Sequence, residues 1–413
     1  MAILVWVYVF VKSRRFCSVQ LWRYSLSATI DVTHKAKDRL AQRIQKHLDN
    51  KVVAPFDIRL PNKNTYHFGD GESRFTITVN NQKGLMALGK FDQLSFSEAY
   101  VNDNIDIEGD MWDVVSSRKT LRDHHPLHTL WRRIAPFIKG QLFTNKTAIS
   151  DHYEYENEFY LKFLDSTRCY SQAVFERDDE PLETAQRRKL DFVLKSCNLK
   201  VGDRVLDVGG GWGAFVEHAG KHGIHVTALT LARHSEQFLK DLIRRLQLPC
   251  EVKFGDFYQY NSPEPYDAIV ILGVMEHLPD YHAVVNQFQR LLKPGGKIYL
   301  DASSFRSTYS KPAFISRYVF PGNHRYFCLH EFLSKTAKTN LEVLRVYNDR
   351  HSYYLTCREW AKNLELARQE ISKRWGEQLY RIFRLYLWGS SYAFYCRSMD
   401  AYRVVLECSE REG

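Results

Sequence analysis

The stretch VLDVGGGWGAF, Val205 to Phe215, decides the fold of this chain. Asp207 closes a short apolar run, and three spaced glycines follow it: Gly209, Gly211 and Gly213. Glycines at the end of a buried strand permit a tight turn and let a ligand approach the backbone closely. A helix that begins after such a turn offers free N–H groups. The segment therefore predicts a ligand site at the end of a strand.

The sequence beyond residue 149 alternates between β-branched runs and amphipathic runs. Strand-like RVLDVG, IHVTALTL, CEVKFGDF, YDAIVILG and GKIYLDAS are separated by helix-like segments such as SEQFLKDLIRRLQL and YHAVVNQFQRLLKP. Such alternation with short turns indicates a doubly wound, mostly parallel sheet, whose ligands bind at the carboxyl ends of the strands. We predict an α/β, Rossmann-like domain over residues 149–413, ending in helices over roughly 359–394 and a last strand, AYRVVLEC.

The motif D-x-G-x-G-x-G differs from the dinucleotide fingerprint G-x-G-x-x-G. An acid at Asp207 would repel a pyrophosphate, but it can accept hydrogen bonds from an ammonium group. Thr230 follows the second strand, at the ribose position. Asp256 and Phe257 follow the third strand, where a carboxylate can bind an adenine amino group and a ring can stack; the alternative is that Asp256 caps a helix. Together these features predict S-adenosylmethionine (SAM) as the cofactor.

Composition narrows the class of partner. The chain has 413 residues, 44% of them hydrophobic, and a formal net charge of +10. A basic chain favours nucleic acid or an anionic membrane surface, and without an RNA-binding signature we expect no nucleic acid. The eight cysteines are scattered without C-x-x-C spacing, which indicates a reducing compartment and predicts no metal site.

The first 148 residues divide into three predicted regions. Residues 1–30 form an apolar and basic extension; AILVWVYVFV is too short to span a bilayer alone. A membrane anchor, an organellar presequence and an extension without a role are all open, on an otherwise cytoplasmic protein peripheral to the membrane. Residues 31–118 are predicted to form a small α+β domain. Residues 119–148 are a basic, aromatic connector that either lies on a membrane surface or only joins the domains.

Five segments resemble signatures of one enzyme family. They are DHYEYENEFYLKFLD, CYSQAVFERDDEPLETAQRRKL, LDVGGGWGAF, VMEHL and SRYVFPGN. They are similar to motifs of the cyclopropane-fatty-acyl-phospholipid synthases and mycolic acid cyclopropane synthases, and the N-terminal region resembles the smaller, lipid-binding domain of the bacterial enzymes. The resemblance implies a class I SAM methyltransferase fold, and homodimers are frequent in the family. It implies cofactor contacts at Tyr170, Ser171, Gly209, Gly211, Gly213, Thr230, Gln237, Asp256 and Phe257.

The resemblance also implies a reaction centre, which this chain changes. Family enzymes are described as holding a bicarbonate between a Cys, a Glu, a His and a Tyr. The chain keeps Glu276 and Tyr353, but Gln172 stands at the Cys position and Asp301 at the His position. Two carboxylates and a bicarbonate would repel one another in a dry pocket. We hypothesise that Asp301 replaces the anion, as base or cation stabiliser; the alternative is a repurposed pocket in which Asp301 is only hydrogen-bonded.

Three functions remain open from the sequence. The resemblance implies SAM-dependent methyl or methylene transfer to a double bond in phospholipid acyl chains at a membrane surface, giving a cyclopropane or a methyl branch. The second reading is N-methylation of a small amine, since plant N-methyltransferases share this fold. The third is a catalytically silent lipid-binding relative, which the changed reaction centre favours and the intact glycine motif disfavours.

Overall fold

The computed structural model describes residues 42–44, 46–47, 52–120, 157–306, 312–320 and 325–409. The chain forms two compact units, Met1–Lys46 and His47–Gly413, and every element named below belongs to the second. The predictions for the N-terminal extension and for nearly all of the connector fall outside the described residues. None of the helices described has both the length and the apolar character needed to cross a bilayer.

A four-stranded sheet with three helices forms the first part of the described chain. Its strands are β1 (Phe56–Arg59), β2 (Thr65–Phe68), β3 (Phe75–Val79) and β4 (Ile105–Gly109), in the order β2-β1-β3-β4. Its helices are α1 (Gln82–Leu88), α2 (Gln93–Val101) and α3 (Met111–Ser116). Each helix follows an Asn or Asp whose side chain accepts a backbone hydrogen bond from the first turn. This part is α+β, as predicted; its bounds at 31 and 118 remain a prediction.

The second sheet has seven strands. They are β5 (Arg204–Val208), β6 (His225–Thr230), β7 (Glu251–Phe254), β8 (Tyr266–Leu272), β9 (Leu292–Ser304), β10 (Leu341–Asn348) and β11 (Asp400–Cys408). Their order is β10-β11-β9-β8-β5-β6-β7. Strands β5 to β9 pair in parallel, and β11 runs antiparallel to both of its neighbours. The prediction of a doubly wound, mostly parallel sheet is confirmed.

Nine helices accompany this sheet in the described residues. They are α4 (Asn157–Leu161), α5 (Leu182–Ser196), α6 (Ala214–Lys221), α7 (Arg233–Leu246), α8 (Tyr281–Leu291), α9 (Leu329–Thr336), α10 (Arg350–Leu366), α11 (Arg368–Trp375) and α12 (Glu377–Tyr395). Strand β5 shows how they share the sheet. Leu206 and Val208 join the apolar cluster of α8 and α9, whereas Val205 joins the cluster of α5, α6 and α7. Alternate strand residues thus bury both faces.

Two features near the carboxyl end differ from the sequence prediction. The helical tail begins at Arg350 rather than near residue 359, so Tyr353 lies in the first turn of α10. Strand β10 was not predicted. It is one of the two edge strands of the sheet, and its apolar alternation is interrupted where Leu344 follows Val343, at an irregularity in its pairing with β11.

Helix α12 connects the two sheets. The Arg381 guanidinium donates to the carbonyl oxygens of Tyr100 and Ile105 at 2.8 and 3.1 Å. Arg384, one turn later, donates to the carbonyl of Ile107 and to the Tyr100 hydroxyl. Both arginines are buried. These contacts fix the position of α12, which also carries a residue of the reaction centre, described below.

Candidate active site

A cavity lies at the carboxyl ends of β5, β6, β7 and β8, next to the glycine turn. It is where the fold predicts a ligand. Eight of the ten residues predicted to bind the cofactor line it: Tyr170, Ser171, Asp207, Gly209, Gly211, Thr230, Asp256 and Phe257. Trp212, Gly273, Val274 and His277 also line it, and the sequence had not assigned them to the cofactor.

The glycine turn is shaped by close packing. Gly209 has a φ of +84°, and a Cβ there would lie 2.4 Å from the Val274 side chain. The Gly209 amide donates to the Leu229 carbonyl at 2.8 Å, which ties the turn to β6. At Gly211, by contrast, a Cβ would meet only the Gly209 carbonyl oxygen, at 3.6 Å. The turn is therefore packed at its base and open toward the cavity, so a ligand can lie against the backbone.

Two predicted cofactor residues lie elsewhere. Gly213 does not line the cavity; it precedes α6 with a φ of +77°, and a Cβ there would lie 2.4 Å from a methyl of Leu242. Its role is to let α6 pack closely on α7. Gln237 is exposed and donates to Asp241 at 3.0 Å, one turn further along α7. The buried Ser235 of the same helix lines the cavity instead, because two residues along a helix turn the side chain to another face.

Asp207 brings an unbalanced carboxylate to the cavity. Its side chain is buried, and burial raises its pKa to about 7. Among the described residues no Lys or Arg forms an ion pair with it, so no cation offsets the cost of desolvation. A ligand with an ammonium group would supply the missing charge.

Of the two roles considered for Asp256, the structure shows the helix cap; adenine binding stays a prediction for a residue that lies in the cavity. Asp256 Oδ1 accepts a hydrogen bond from the Tyr258 amide at 3.0 Å and so caps the short helix Phe257–Gln259. Asp256 also lines the cavity, and the buried Phe257 forms part of its wall. In the second strand, Thr230 Oγ1 accepts from the Ala232 amide at 3.1 Å, which fixes the turn after β6.

Glu276 lies in the short 3-10 helix Met275–His277, which follows β8. Its Oε1 accepts hydrogen bonds from the Ser303 amide at 2.7 Å and the Ser303 hydroxyl at 2.6 Å. Its Oε2 is buried and has no hydrogen-bond partner among the described residues. Burial raises the pKa of this carboxyl to about 7, and the negative charge of Asp301 adds to the effect. A carboxylate with one fixed oxygen and one free oxygen suits a base that works near neutral pH.

Aromatic rings surround this carboxylate. Tyr353 stacks on Phe394 with ring centroids 4.5 Å apart. Burial, then Cys357, then the charges of Glu276 and Asp301 raise the pKa of the Tyr353 hydroxyl well above its usual range. Tyr353 therefore lies within electrostatic reach of Glu276. Tyr386 of α12, which the sequence had not indicated, lies close enough to Tyr353 and to Tyr170 of the cofactor cavity for both to influence the pKa of its hydroxyl, which burial raises well above its usual range.

Asp301 belongs to the same group of charges, but it has a cationic partner that the sequence prediction missed. It is fully buried on β9, and Lys189 Nζ of α5 lies 3.6 Å from its Oδ2. Lys189 is also fully buried and donates to Ser171 Oγ at 2.6 Å and to Cys169 Sγ at 2.9 Å. Burial opposes the lysine charge, but Cys169 and Asp301 outweigh it and raise the pKa of Lys189. Burial raises the pKa of Asp301, and Lys189 counteracts this rise.

The structure gives Gln172 a different role from the one predicted. Its amide Nε2 donates to Asp349 Oδ2 at 2.9 Å, and Asp349 is also paired with Arg403. Asp349 immediately precedes α10, and its carbonyl accepts from the Tyr353 amide at 2.9 Å. One N–H of Gln172 thus holds the start of α10.

Solved structures identify the fold. Mycolic acid cyclopropane synthase CmaA1, solved with SAH and CTAB, is 26% identical, with a TM-score of 0.58 over 63% of this chain and 98% of that chain. Coclaurine N-methyltransferase, bound to N-methylheliamine and SAH, has a TM-score of 0.60 over 72% of this chain and 94% of its own, and its 21% identity supports the fold alone. The protein has the fold of the class I SAM-dependent methyltransferases.

A family model places the chain within one family of these methyltransferases. The model of the mycolic acid cyclopropane synthetase family matches residues 141–404, and the chain belongs to this family. A domain of unknown function matches residues 43–125. The protein is a SAM-dependent methyltransferase.

Three curated relatives show the range of this likeness. A probable fatty acid methyltransferase of Mycobacterium tuberculosis is 29% identical over 287 residues, which are 67% of this chain and 66% of the relative. A probable fatty acid methyltransferase of Pseudomonas putida is 27% identical over 82% of this chain and 88% of its own length. A sphingolipid C9-methyltransferase of Candida albicans is 26% identical over 81% of this chain and 71% of its own length. The chain spans just under two thirds of the first relative.

Proposed function

We propose that this enzyme transfers the methyl group of SAM to a carbon–carbon double bond in an acyl chain of a phospholipid at a membrane surface. The observation that carries the proposal is Glu276, a buried carboxylate with one free oxygen, next to the cofactor cavity and beside Tyr353. Val274 and His277, on either side of Glu276 in the sequence, line that cavity. Attack by a double bond needs such a group because it leaves a positive charge on the acyl chain.

SAM, when bound, supplies an electrophilic methyl carbon. Asp207 would hold its ammonium group, and Asp256 and Phe257 its adenine. When the methyl group adds to the double bond, the acyl chain carries a cation that water would quench. The rings of Tyr353 and Tyr386 stabilise this cation through their π faces. The carboxylates of Glu276 and Asp301 stabilise it by charge.

Proton removal then determines the product. The free oxygen of Glu276 takes a proton from the new methyl group, which closes a cyclopropane ring, or from the chain carbon that carries this methyl group, which re-forms a double bond and leaves a methyl-branched alkene. A carboxylate whose pKa is about 7 is well matched to this step, because the ionised form is present at neutral pH and its basicity is greater than that of an ordinary glutamate.

We also propose that Asp301 takes the place of a bound bicarbonate. Among the four residues predicted to surround that anion, Glu276 and Asp301 each present one carboxylate oxygen that has no partner in the described part of the chain, and Gln172 donates to Asp349. The Tyr353 hydroxyl and the second N–H of Gln172 remain as donors, but a bicarbonate between two carboxylates would be repelled. These residues do not fit bicarbonate, so the proposed mechanism needs no external anion.

The choice of an acyl chain rests on apolar surroundings and on relatives. The reaction centre is walled by aromatic rings, with Phe320 5.8 Å from Tyr386 and Trp360 6.3 Å from Tyr353, which favours an apolar substrate. The relatives are named as methyltransferases of fatty acids and of a sphingolipid. A net charge of +10 suits an anionic membrane surface.

The proposal is tested by expressing the full chain in a host with unsaturated phospholipids and analysing the fatty acid methyl esters by mass spectrometry. We expect a gain of one carbon in the acyl chains of the wild type and none in a Glu276→Gln variant. Bound SAM with methylation of an added small amine but not of lipid would instead establish an N-methyltransferase. Absence of SAM binding would refute enzymatic function altogether.

The role of Asp301 has its own test. Asp301→Asn and Asp301→Ala are assayed with and without added bicarbonate. If Asp301 replaces the anion, both variants lose activity, and the smaller Ala side chain lets bicarbonate restore part of it. Full activity in both variants without bicarbonate would rule out the role.

A further inference from the structure

Helix α5 carries two fully buried polar side chains, Gln186 and Lys189, and both contact Ser171, which lines the cofactor cavity. Gln186 Nε2 donates to the Ser171 carbonyl at 2.9 Å. Lys189, three residues later on the same face, donates to the Ser171 hydroxyl at 2.6 Å and reaches Asp301 Oδ2 at 3.6 Å. Ser171 Oγ lies 3.4 Å from the same carboxylate oxygen. Lys189 therefore contacts Asp301 both directly and through Ser171, while Asp301 Oδ1 has no partner among the described residues.

We propose that Lys189 is a positioning residue that keeps Asp301 anionic behind the reaction centre, so that the enzyme carries its counter-charge on its own chain. A buried carboxylate without a nearby cation takes up a proton instead of remaining charged. Lys189 supplies that cation from α5. The inference rests on the proposed function, because it explains how Asp301 can act as a fixed anion there.

The surrounding charges support this assignment. Lys189 faces Cys169, Asp165 and Asp301. Asp301 faces Lys189, Asp349, Tyr299, Glu276 and Tyr353, and Arg403 lies opposite it on β11.

Burial raises the pKa of Cys169, which therefore stays a neutral thiol. Arg403 is already engaged by Asp349. Lys189 keeps Asp301 ionised, and Glu276 adds a second carboxylate that has no paired cation among the described residues. The three groups together carry one net negative charge, which matches a substrate that becomes a cation only during the reaction.

The test compares Lys189→Met, Asp301→Asn and the double variant with the wild type. The matched control is Lys195→Met, which removes an exposed lysine from the same helix. In the wild type at neutral pH, infrared difference spectra against Asp301→Asn should show a carboxylate. In Lys189→Met, spectra taken against the double variant should show a protonated carboxylic acid. A carboxylate in Lys189→Met would overturn the proposal.

The pH dependence of activity gives a second readout. Lys189→Met should lose at least about tenfold in rate at neutral pH, equivalent to a shift of one pKa unit, and recover as pH rises and Asp301 ionises. Lys195→Met should keep the wild-type profile. If Lys189→Met lowers the stability of the enzyme but leaves the pH profile of its activity unchanged, the role of Lys189 is structural only.

Stability measurements cover two remaining cases. If Lys189→Met does not fold, the double variant, which buries no charge at this site, should fold; failure of both would contradict a role in charge balance. If the wild type modifies no lipid, the proposed function fails, but the infrared spectra and a double-mutant cycle of stability still decide the pairing. A coupling close to zero between Lys189 and Asp301 would refute it.

Discussion

Ser303 holds one oxygen of Glu276 with two hydrogen bonds, from its amide at 2.7 Å and from its hydroxyl at 2.6 Å. Ser303 belongs to β9 and Glu276 to the turn after β8, so two parallel neighbouring strands fix the carboxylate. The other oxygen, Oε2, is left without a partner among the described residues. The rigid sheet thus determines which oxygen of Glu276 can react.

Glu276→Gln tests this assignment. The amide can still accept both hydrogen bonds from Ser303, but it has neither the charge nor the basicity of the carboxylate. We expect the rate of methyl transfer to fall by about 10²- to 10⁴-fold, the usual contribution of a positioned base. SAM affinity, measured by calorimetry, should stay unchanged. Transfer at the wild-type rate would remove Glu276 from the mechanism.

Ser303→Ala is the companion variant. It deletes the hydroxyl and keeps the amide, so Glu276 remains a carboxylate. Because the Ser303 hydrogen bonds lower the pKa of Glu276, the variant should need a higher pH for full activity.

In the wild type, activity should fall about tenfold for each pH unit below about 7, where Glu276 takes up its proton. A rate that is independent of pH between about 5 and 8 would contradict both expectations.

Asp207 makes SAM binding dependent on pH. Its pKa is about 7 in the absence of a cationic ligand, and only its ionised form pairs with an ammonium group. SAM affinity should therefore fall about tenfold per pH unit below about 7. In Asp207→Asn it should be about 10- to 100-fold weaker at neutral pH and nearly independent of pH.

A ligand without the ammonium group provides the control for Asp207. Methylthioadenosine contains the adenosine part of SAM but not its amino acid. Its affinity should change little across the same pH range in wild type and variant. If methylthioadenosine shows the same pH dependence as SAM, Asp207 does not bind the ammonium group.

The sequence predicted the fold and most of the cofactor cavity because both depend on local pattern. The strand–glycine turn, Thr230 and the Asp256–Phe257 pair sit at strand ends, and parallel strands bring their carboxyl ends to one edge. Gln237 lies on an exposed face of α7, and motif position alone did not indicate which face it occupies. Gly213 lies outside the cavity lining, and packing between helices already requires a glycine there.

The residues that the prediction missed depend on long-range contacts. Lys189 meets Asp301 across more than a hundred residues of sequence, and Tyr386 reaches Tyr170 from the other end of the domain. One signal for Lys189 was available. It occupies the buried stripe of α5 together with Ala185, Leu190 and Val193. A lysine in an apolar stripe needs a buried partner, although the sequence does not indicate which residue that is.

Tyr386 should contribute through its ring more than through its hydroxyl. Tyr386→Phe removes the hydroxyl and keeps the π face, whereas Tyr386→Leu keeps an apolar side chain and removes the ring. If the ring stabilises a cation, Leu should slow transfer about tenfold or more beyond Phe, consistent with a desolvated cation–π contact of about 2 kcal/mol. The comparison uses kcat from lipid assays, with SAM affinity as the check on the cavity. Equal rates for the two variants would exclude the ring as a stabilising group.

Gly213 should matter for stability because of a specific steric contact. Gly213→Ala places a methyl group 2.4 Å from a methyl of Leu242 and forces alanine to a φ of +77°. The backbone cost is about 1–2 kcal/mol and the overpacking adds about 1–3 kcal/mol. Gly202→Ala is the matched control, since Gly202 also has a positive φ, +90°, but a Cβ there meets nothing within 4 Å. In denaturant unfolding, Gly213→Ala should lose more free energy of unfolding than Gly202→Ala, and the difference should equal the overpacking contribution. Equal losses would mean that the contact between α6 and α7 relaxes without cost.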